Sequence, residues 1–340
     1  MFKNDYSEVA AEAVLQSLLQ AQTEQNAGYG MDGHCARAKE YILRSFGLDA
    51  ERADVHFLVG GTQTNMTVIS YFLRPYEGVI CCDTGHIHVH ETAAVEASGH
   101  KILTCPNRDG KLLPEDVERT VKLHSDEHMV KPAMVYISQS TETGTIYTAQ
   151  ELLALRKVCD RYGLLLFLDG ARLAVALTAP ANDVSAELIG ALCDVFYVGG
   201  TKNGLLFGEA VVIRDKRKAP LFRYHIKNRG AMTAKGFILG IQFETLFEDG
   251  LYFRLAENSN RTAAYIRREL FKLGVPLEGN SCTNQIFIRL PADQADALIA
   301  RYGCEPWADY GAEKTIRIVT SFATSMAECA ELADYVQSIL

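Results

Sequence analysis

A chain of 340 residues with 48% hydrophobic and 22% charged residues has the composition of a compact globular protein, which excludes long disordered stretches. Its net charge of -8 comes without basic runs, so we expect neither nucleic acid nor an anionic membrane as a partner. No apolar segment approaches membrane-spanning length, the N-terminus carries no secretion signal, and nine cysteines without a Cys-x-x-Cys pair predict buried free thiols. We therefore expect a cytoplasmic protein.

The first part of the chain predicts an α/β domain. An amphipathic segment predicts a helix over residues 7–20, and short apolar runs then alternate with segments of helical period, which indicates βαβ units. Because these runs are almost continuously hydrophobic, they favour a parallel sheet covered by helices on both faces. The predicted strands are residues 55–59, 78–82, 101–105, 133–138, 164–168, 194–198 and 209–213.

The pattern changes at about residue 236. Helical stretches continue to residue 247 and over 255–273, and alternating strands are predicted at 285–290 and 315–320. This indicates a small α+β domain at residues 236–340, after a large α/β domain at residues 1–235. No flexible linker separates them, so a continuous helix is expected to join the two.

The motif Val-Gly-Gly-Thr-Gln-Thr-Asn follows the first predicted strand. Ligands of open α/β sheets lie beyond the carboxyl ends of the strands, so the residues after each strand are candidates for a binding site. Gly60 and Gly61 permit a tight turn, and Thr62 with the amides of a helix predicted over residues 66–73 can hold an anion. Taken alone, the motif favours an ordinary glycine turn with Thr62 as the helix N-cap.

Two further motifs each place a charged residue after a strand. Asp169 ends an apolar strand, where a carboxylate needs a cationic partner; Arg172, Mg²⁺ or a protonated pyridine would each serve. Lys202 lies in the glycine-rich turn Gly-Gly-Thr-Lys-Asn-Gly after a later strand, where burial can lower its pKa and let it form a Schiff base. A carboxylate and then a lysine at successive strand ends is the pattern that pyridoxal 5′-phosphate requires.

Three alternating histidines, His86, His88 and His90, follow the second predicted strand. On an extended segment they would share one face and could ligate a metal. No carboxylate or cysteine pattern supports such a site, so no metal is expected. An imidazole stacked on an aromatic cofactor is the better functional interpretation of His86.

Together these motifs resemble those of the L-threonine aldolase branch of the beta-eliminating lyase family. The members of this family are pyridoxal-phosphate enzymes with the aspartate-aminotransferase-like fold, which is called fold type I. The resemblance covers the whole chain through Asn-Asp-Tyr-Ser, Gly-Gly-Thr, His86 five residues before Glu91, Leu-Asp-Gly-Ala-Arg, Gly-Gly-Thr-Lys-Asn-Gly and Ile-Arg-Ile-Val-Thr-Ser-Phe-Ala-Thr. It implies a large domain with a mostly parallel seven-stranded sheet and a small C-terminal α+β domain. It also implies a homodimer or homotetramer with active sites at the subunit interface.

The resemblance assigns a role to each candidate residue. Lys202 would carry the cofactor, Asp169 would pair with its pyridine nitrogen, and His86 would stack on its ring. The residues implied at the cofactor phosphate are Gly61, Thr62, Thr201 and, from a neighbouring subunit, Lys227. Those implied at the carboxylate of the amino-acid substrate are Ser7, Arg172 and Arg317.

One departure from the family concerns the catalytic base. Many members carry a histidine near the substrate hydroxyl, where this chain reads Ile-Ser-Gln-Ser-Thr-Glu-Thr-Gly and places Glu142.

The resemblance implies a carbon–carbon lyase that cleaves threonine, allo-threonine or a related β-hydroxy-α-amino acid, with His86 as the first candidate base and Glu142 as the second. Beta-elimination, transamination and a non-catalytic or metal-binding protein stay open as alternatives.

Overall fold

The computed structural model describes all 340 residues and is built around a seven-stranded sheet. Its strands are β1 (Asp54–Leu58), β2 (Glu77–Cys82), β3 (Ile102–Cys105), β4 (Lys131–Ser138), β5 (Leu165–Asp169), β6 (Val195–Gly199) and β7 (Glu209–Ile213). They lie in the order β1-β7-β6-β5-β4-β2-β3. The seven predicted strands are thus confirmed, with small differences at their ends.

The sheet is parallel except at β7. Neighbours from β6 to β3 pair in parallel, whereas β7 is antiparallel to both β1 and β6. The carboxyl ends of all the other strands therefore meet at one edge of the sheet, and the start of β7 lies at that same edge. This edge collects the residues that follow the strands, as expected for open α/β sheets.

Helices cover both faces of the sheet. Along β4, Val135 and Ile137 belong to a core of 41 buried residues, whereas Met134 and Tyr136 belong to a core of 20 on the other face. This alternation is the period of two that a strand imposes on its side chains.

The helices up to the small domain are α1 (Glu12–Gln20), α2 (Gly33–Ser45), α3 (Gly61–Phe72), α4 (His86–Val89), α5 (Ala94–Ala97), α6 (Pro114–Leu123), α7 (Ala149–Tyr162), α8 (Leu173–Leu177), α9 (Ala186–Leu192) and α10 (Phe222–Asn228), with a 3₁₀ turn at Lys216–Lys218.

Three local predictions are wrong. Helix α1 begins at Glu12 rather than residue 7, because Asp5 is buried in an ion pair and the amide of Ala11 bonds Gly204, which keeps the residues before Glu12 out of the helix. Helix α3 begins at Gly61, and its N-cap is Gly60 rather than Thr62. The histidine segment is not extended but forms the short helix α4.

A second, antiparallel sheet has the order β8-β10-β9. Its strands are β8 (Gln285–Pro291), β9 (Glu305–Asp309) and β10 (Glu313–Val319), and the helices of this region are α11 (Phe237–Glu248), α12 (Leu251–Lys272), α13 (Ala292–Tyr302) and α14 (Met326–Ile339). Strand β9 was not predicted, because none of its residues is buried and its sequence therefore shows no alternation of apolar and polar residues.

The helices of the C-terminal part pack into two different hydrophobic cores, which bears on the division of the chain into domains. Phe243 and Phe247 on α11 belong to the core of the large sheet, whereas Ala263 and Ile266 on α12 belong to a core of 17 residues under the small sheet. Phe2 also packs into this smaller core. A boundary between residues 235 and 236 stays a prediction. Among the helices, none combines the length and the apolar character needed to cross a membrane.

Candidate active site

A cavity of about 280 Å³ opens at the carboxyl edge of the large sheet. Its lining combines residues from the ends of several strands: Tyr6, Val59, Gly60, Gly61, Thr62, His86, Asp169, Ala171, Tyr197, Thr201, Lys202 and Glu209. The structure therefore brings together six candidates from four separate segments of the sequence: Gly61, Thr62, His86, Asp169, Thr201 and Lys202.

One wall of the cavity is the anion seat, by which we mean the turn Gly60, Gly61 and Thr62 at the start of α3. The first amides of a helix have no intrahelical partner and carry the positive end of the helix dipole. A Cβ atom on Gly61 would lie 3.2 Å from the hydroxyl of Tyr197, so glycine lets the backbone approach that side chain closely. This turn can hold an anionic group such as a phosphate.

Asp169 is a buried carboxylate surrounded by hydrogen-bond donors. It accepts from Tyr136 Oη at 2.5 Å, Tyr197 Oη at 2.6 Å, Ala171 N at 3.0 Å and Asn65 Nδ2 at 3.1 Å. Burial alone would raise the pKa of Asp169, but the charge of His86 and the two tyrosine hydroxyls hold that pKa below its usual value. An ionised carboxylate here can pair with a cation in the cavity. Arg172, which the sequence offered as a partner, does not bond Asp169.

His86 is held by a buried carboxylate. Its Nδ1 lies 2.8 Å from Oε1 of Glu91, whose side chain is fully buried and also accepts from Asn65 Nδ2 at 2.7 Å. Burial would lower the pKa of His86, but the Glu91 hydrogen bond, with the charges of Glu142 and Asp169, raises it above its usual value. The other ring nitrogen, Nε2, is free to contact a group bound in the cavity.

The neighbouring histidines form no metal site. The ring of His90 lies 5.4 Å from that of His86, centroid to centroid, and no cluster of three His, Cys, Asp or Glu side chains in the chain is arranged to hold a metal ion. On the helical turn of α4, residues two positions apart point in different directions, so His88 does not share a face with His86 as it would on an extended segment.

Lys202 follows β6 in the glycine-rich turn, and its Nζ lies 5.8 Å from the centroid of the Tyr6 ring. Burial and the charge of Arg172 lower the pKa of Lys202, against the opposing charges of nearby carboxylates such as Asp5. A lowered pKa increases the share of neutral amine, the form that attacks a carbonyl carbon.

Arg172 lies beside the cavity in a buried ion pair with Asp5. Arg172 Nε donates to Asp5 Oδ2 at 2.7 Å and Nη2 donates to Oδ1 at 3.0 Å. Nη1 takes no part in this pair. Asn284 Nδ2 also donates to Asp5 at 2.9 Å. Ser7 is exposed and donates to Asn4, and it does not line the cavity, although the resemblance implies a role for it at the substrate carboxylate.

Glu142 lines a second cavity, and Arg317 contacts residues in the wall of that cavity. This cleft of about 460 Å³ is lined by Asp83, Thr84, Val89, His90, Glu142, Thr143, Glu305, Pro306 and Trp307. Arg317 on β10 contacts two of its residues, through an ion pair with Glu305 and a stack 5.3 Å above the Trp307 ring. Its Nη1 donates to Gln285 at 2.9 Å, and its buried Nε has no partner.

Lys227 lies outside both cavities. It is on α10, where its Nζ lies 4.9 Å from the centroid of the Tyr29 ring. Its predicted contact with a neighbouring subunit's cofactor stays a prediction, because it concerns a second chain.

Sequence reasoning missed several members of the site. Asp5 and Asn65 stand inside the motifs Asn-Asp-Tyr-Ser and Val-Gly-Gly-Thr-Gln-Thr-Asn, and for Asn65 the preceding glycine turn is a usable signal. Glu209 begins an apolar strand, where a carboxylate is unusual. Tyr136 and Tyr197 lie within hydrophobic strands, and nothing in the sequence separates them from core residues.

The chain is similar to known proteins along its full length. It matches the family described as "Beta-eliminating lyase" over residues 2–293. It is 31% identical over 341 residues to a low specificity L-threonine aldolase of a Pseudomonas species, covering 99% of this chain and 96% of that protein. The solved structure of Leishmania major threonine aldolase superposes with a TM-score of 0.97 at 43% identity, covering 99% of this chain and 98% of that one.

A more distant structure shows the fold. Thermus thermophilus aspartate aminotransferase superposes with a TM-score of 0.73 at 15% identity, over all of this chain and 90% of that one. The mostly parallel seven-stranded sheet with a small antiparallel sheet is therefore the aspartate-aminotransferase-like fold of type I, as predicted. From its match over residues 2–293 and its similarity to the Pseudomonas protein, the chain belongs to the beta-eliminating lyase family.

Proposed function

We propose that the protein is a pyridoxal-phosphate-dependent carbon–carbon lyase that cleaves L-threonine, L-allo-threonine or a related β-hydroxy-α-amino acid to glycine and an aldehyde. The observation that carries this proposal is the meeting of Lys202, Asp169 and His86 in one cavity beside the anion seat. The similarity to low specificity L-threonine aldolases supports it.

The residues of the cavity fit pyridoxal 5′-phosphate. When bound, this cofactor supplies an aldehyde that reacts with amines and a protonated ring that accepts the electrons of a broken Cα bond. Lys202 is the amine that would hold the aldehyde, and the ionised carboxylate of Asp169 would keep the ring nitrogen protonated. The anion seat would take the phosphate, and the imidazole of His86 would cover the ring.

Two arginines are available for the carboxylate of the amino acid. Asp5 fixes the Arg172 guanidinium through Nε and Nη2, which leaves Nη1 free to bind an anion. Arg317 is buried on the side of the small sheet, with Nε unpaired. A carboxylate held at two points would fix which bond at Cα stands in the reactive orientation. Ser7 has no part in this proposal.

We assign removal of the β-hydroxyl proton to His86. Glu91 holds Nδ1, so Nε2 is the nitrogen that can accept a proton from a group in the cavity. Glu142 is the second candidate, and the charge that it places near His86 and Lys202 supports keeping it.

The assembly and location are also proposals. A homodimer or homotetramer would let Lys227 act in a neighbouring subunit's site. All nine cysteines are free thiols in the structure, which supports a reducing compartment such as the cytoplasm.

The test is a spectrum followed by product analysis. Purified protein supplied with pyridoxal phosphate should absorb in the visible range, borohydride should attach the cofactor to Lys202, and L-threonine or L-allo-threonine should yield acetaldehyde and glycine in equal amounts. The matched control is Lys202→Ala, which should give neither the adduct nor acetaldehyde. An oxo acid instead of acetaldehyde would move the reaction to elimination or transamination. A wild-type protein that binds no cofactor would overturn the proposal.

A further inference from the structure

Glu209 is a buried carboxyl group in the wall of the active-site cavity. It is the first residue of β7, and because β7 alone runs antiparallel, its start lies at the carboxyl edge of the other strands. The residue is 4% exposed and lines the same cavity as Lys202 and the anion seat. Its position therefore needs an explanation beyond packing.

Glu209 lies at the turn that carries Thr201. The amide of Gly200 donates to Glu209 Oε2 at 3.1 Å, and the hydroxyl of the next residue, Thr201, favours the ionised carboxylate and so lowers the pKa of Glu209. Thr201 Oγ1 in turn accepts from the amide of Gly208 at 3.0 Å. A hydroxyl has one proton, so Thr201 cannot donate to an anion while that proton is held by an ionised Glu209.

The surroundings favour the neutral form of Glu209. Burial raises the pKa of Glu209 to about 8, with the Thr201 hydroxyl and the charge of Lys202 opposing that rise. The other groups facing it are Asp169 on β5, Tyr197 on β6 and Tyr252 on α12, none of which adds a positive charge. A phosphate in the anion seat would bring further negative charge and disfavour ionisation more.

We propose that phosphate binding at the anion seat is coupled to a proton on Glu209, whose neutral carboxyl donates to Thr201 Oγ1 and thereby frees the Thr201 hydroxyl to donate to the phosphate. The proton comes from solvent when the pH is high enough for Glu209 to be ionised beforehand. Glu209 is in this scheme a positioning residue that acts through Thr201. The inference rests on the proposed function, because it takes the anion to be the phosphate of the cofactor.

The coupling has a measurable size. With a starting pKa of about 8, the dissociation constant for pyridoxal phosphate should rise about tenfold from pH 7 to pH 9 through this group alone. Glu209→Gln should remove that part of the pH dependence, because the amide keeps a donor for Thr201 and an acceptor for Gly200 without titrating. Pyridoxal, which lacks the phosphate, should show no such difference between the two proteins.

The experiment uses the full chain after removal of cofactor. Dissociation constants for pyridoxal phosphate and pyridoxal are measured from pH 7 to pH 9 in wild type and Glu209→Gln, and calorimetry in two buffers of different ionisation heat counts the protons taken up. We expect wild type to take up close to one proton more with pyridoxal phosphate than with pyridoxal at pH 9. Phosphate monoesters have their second pKa near 6, so the ligand's own phosphate does not contribute at that pH.

The proton count on wild type decides the question even if the variant does not fold. Equal uptake with the two ligands, or equal pH dependence in wild type and Glu209→Gln, would overturn the role of Glu209 and leave the proposed function standing. Binding of neither ligand to the wild-type protein would overturn both.

Discussion

Nδ1 of His86 lies 2.8 Å from Oε1 of Glu91, and that oxygen also accepts from Asn65, which reaches Asp169 with the same amide nitrogen. An imidazole, a carboxylate, an amide and a second carboxylate thus form one buried chain of contacts. Its consequence is that the ring of His86 is fixed by the same network that surrounds Asp169. His86 then presents Nε2 to the cavity.

Glu91→Gln should change the pH dependence of catalysis. Burial lowers the pKa of His86, and the Glu91 hydrogen bond raises it, so loss of the charge should lower that pKa. Because a base must be unprotonated, the acidic limb of the kcat/KM profile for threonine cleavage should move to lower pH by about one unit, with kcat reduced roughly tenfold. The control is Glu96→Gln, an exposed carboxylate on the same segment. An unmoved acidic limb would contradict the role of Glu91.

The two candidate bases can be separated by amide substitutions measured at saturating cofactor. General-base catalysis contributes about 10²–10⁴-fold, so His86→Gln should lower kcat by about a hundredfold or more. Glu142→Gln should lower it by less than about tenfold, because Glu142 lines the neighbouring cleft and acts on His86 through its charge. If Glu142→Gln proves the more damaging change, Glu142 is the base.

The sequence predicted the large sheet because its strands are apolar on both faces. It also predicts Asp169 and Lys202 as candidates for the site, since a carboxylate and then a lysine at successive strand ends is the pattern that pyridoxal 5′-phosphate requires. The region that the sequence predicted least well is the small sheet, where β9 is too exposed to show a pattern.

Contacts between distant residues could not be predicted in the same way. Asp5 and Arg172 are 167 positions apart in the sequence, and the residues around each of them do not indicate that the two form an ion pair. Glu209 reaches the site only because β7 runs against its neighbours, which depends on the topology rather than on the residues of the strand. The sequence therefore predicts Asp169, His86 and Lys202 as candidates for the site, but it does not predict the buried contacts that Asp5 and Glu209 make there.

Asp5→Asn should destabilise the protein and weaken substrate binding. Removing one partner leaves the buried Arg172 uncompensated, which typically costs about 3–5 kcal/mol. Burial would raise the pKa of Asp5, but Arg172 and Lys202 hold it below the usual value. The wild-type advantage should therefore be complete above the usual carboxyl pKa and be lost as the pH falls through the lowered one.

Urea unfolding of both proteins between pH 7 and pH 3 measures this effect, and Asp334→Asn, an exposed aspartate on α14, is the control. KM for the amino acid should rise as well, since Arg172 loses the partner that orients it. A variant as stable as wild type at pH 7 would show that the pair does not stabilise the fold.

Gly170→Ala should be the more damaging of two alanine substitutions at the active-site edge. A Cβ atom on Gly170 would lie 1.9 Å from the carbonyl oxygen of Tyr197, so the strand end that carries Asp169 has to move away from β6. We expect a loss of about 3 kcal/mol or more in the free energy of unfolding. The matched substitution is Gly60→Ala, where φ is -171°, an extended conformation open to any residue, and the new Cβ meets nothing within 4 Å. Urea unfolding without cofactor compares the two, and equal losses would mean that the close approach of Gly170 to Tyr197 is not what requires glycine there.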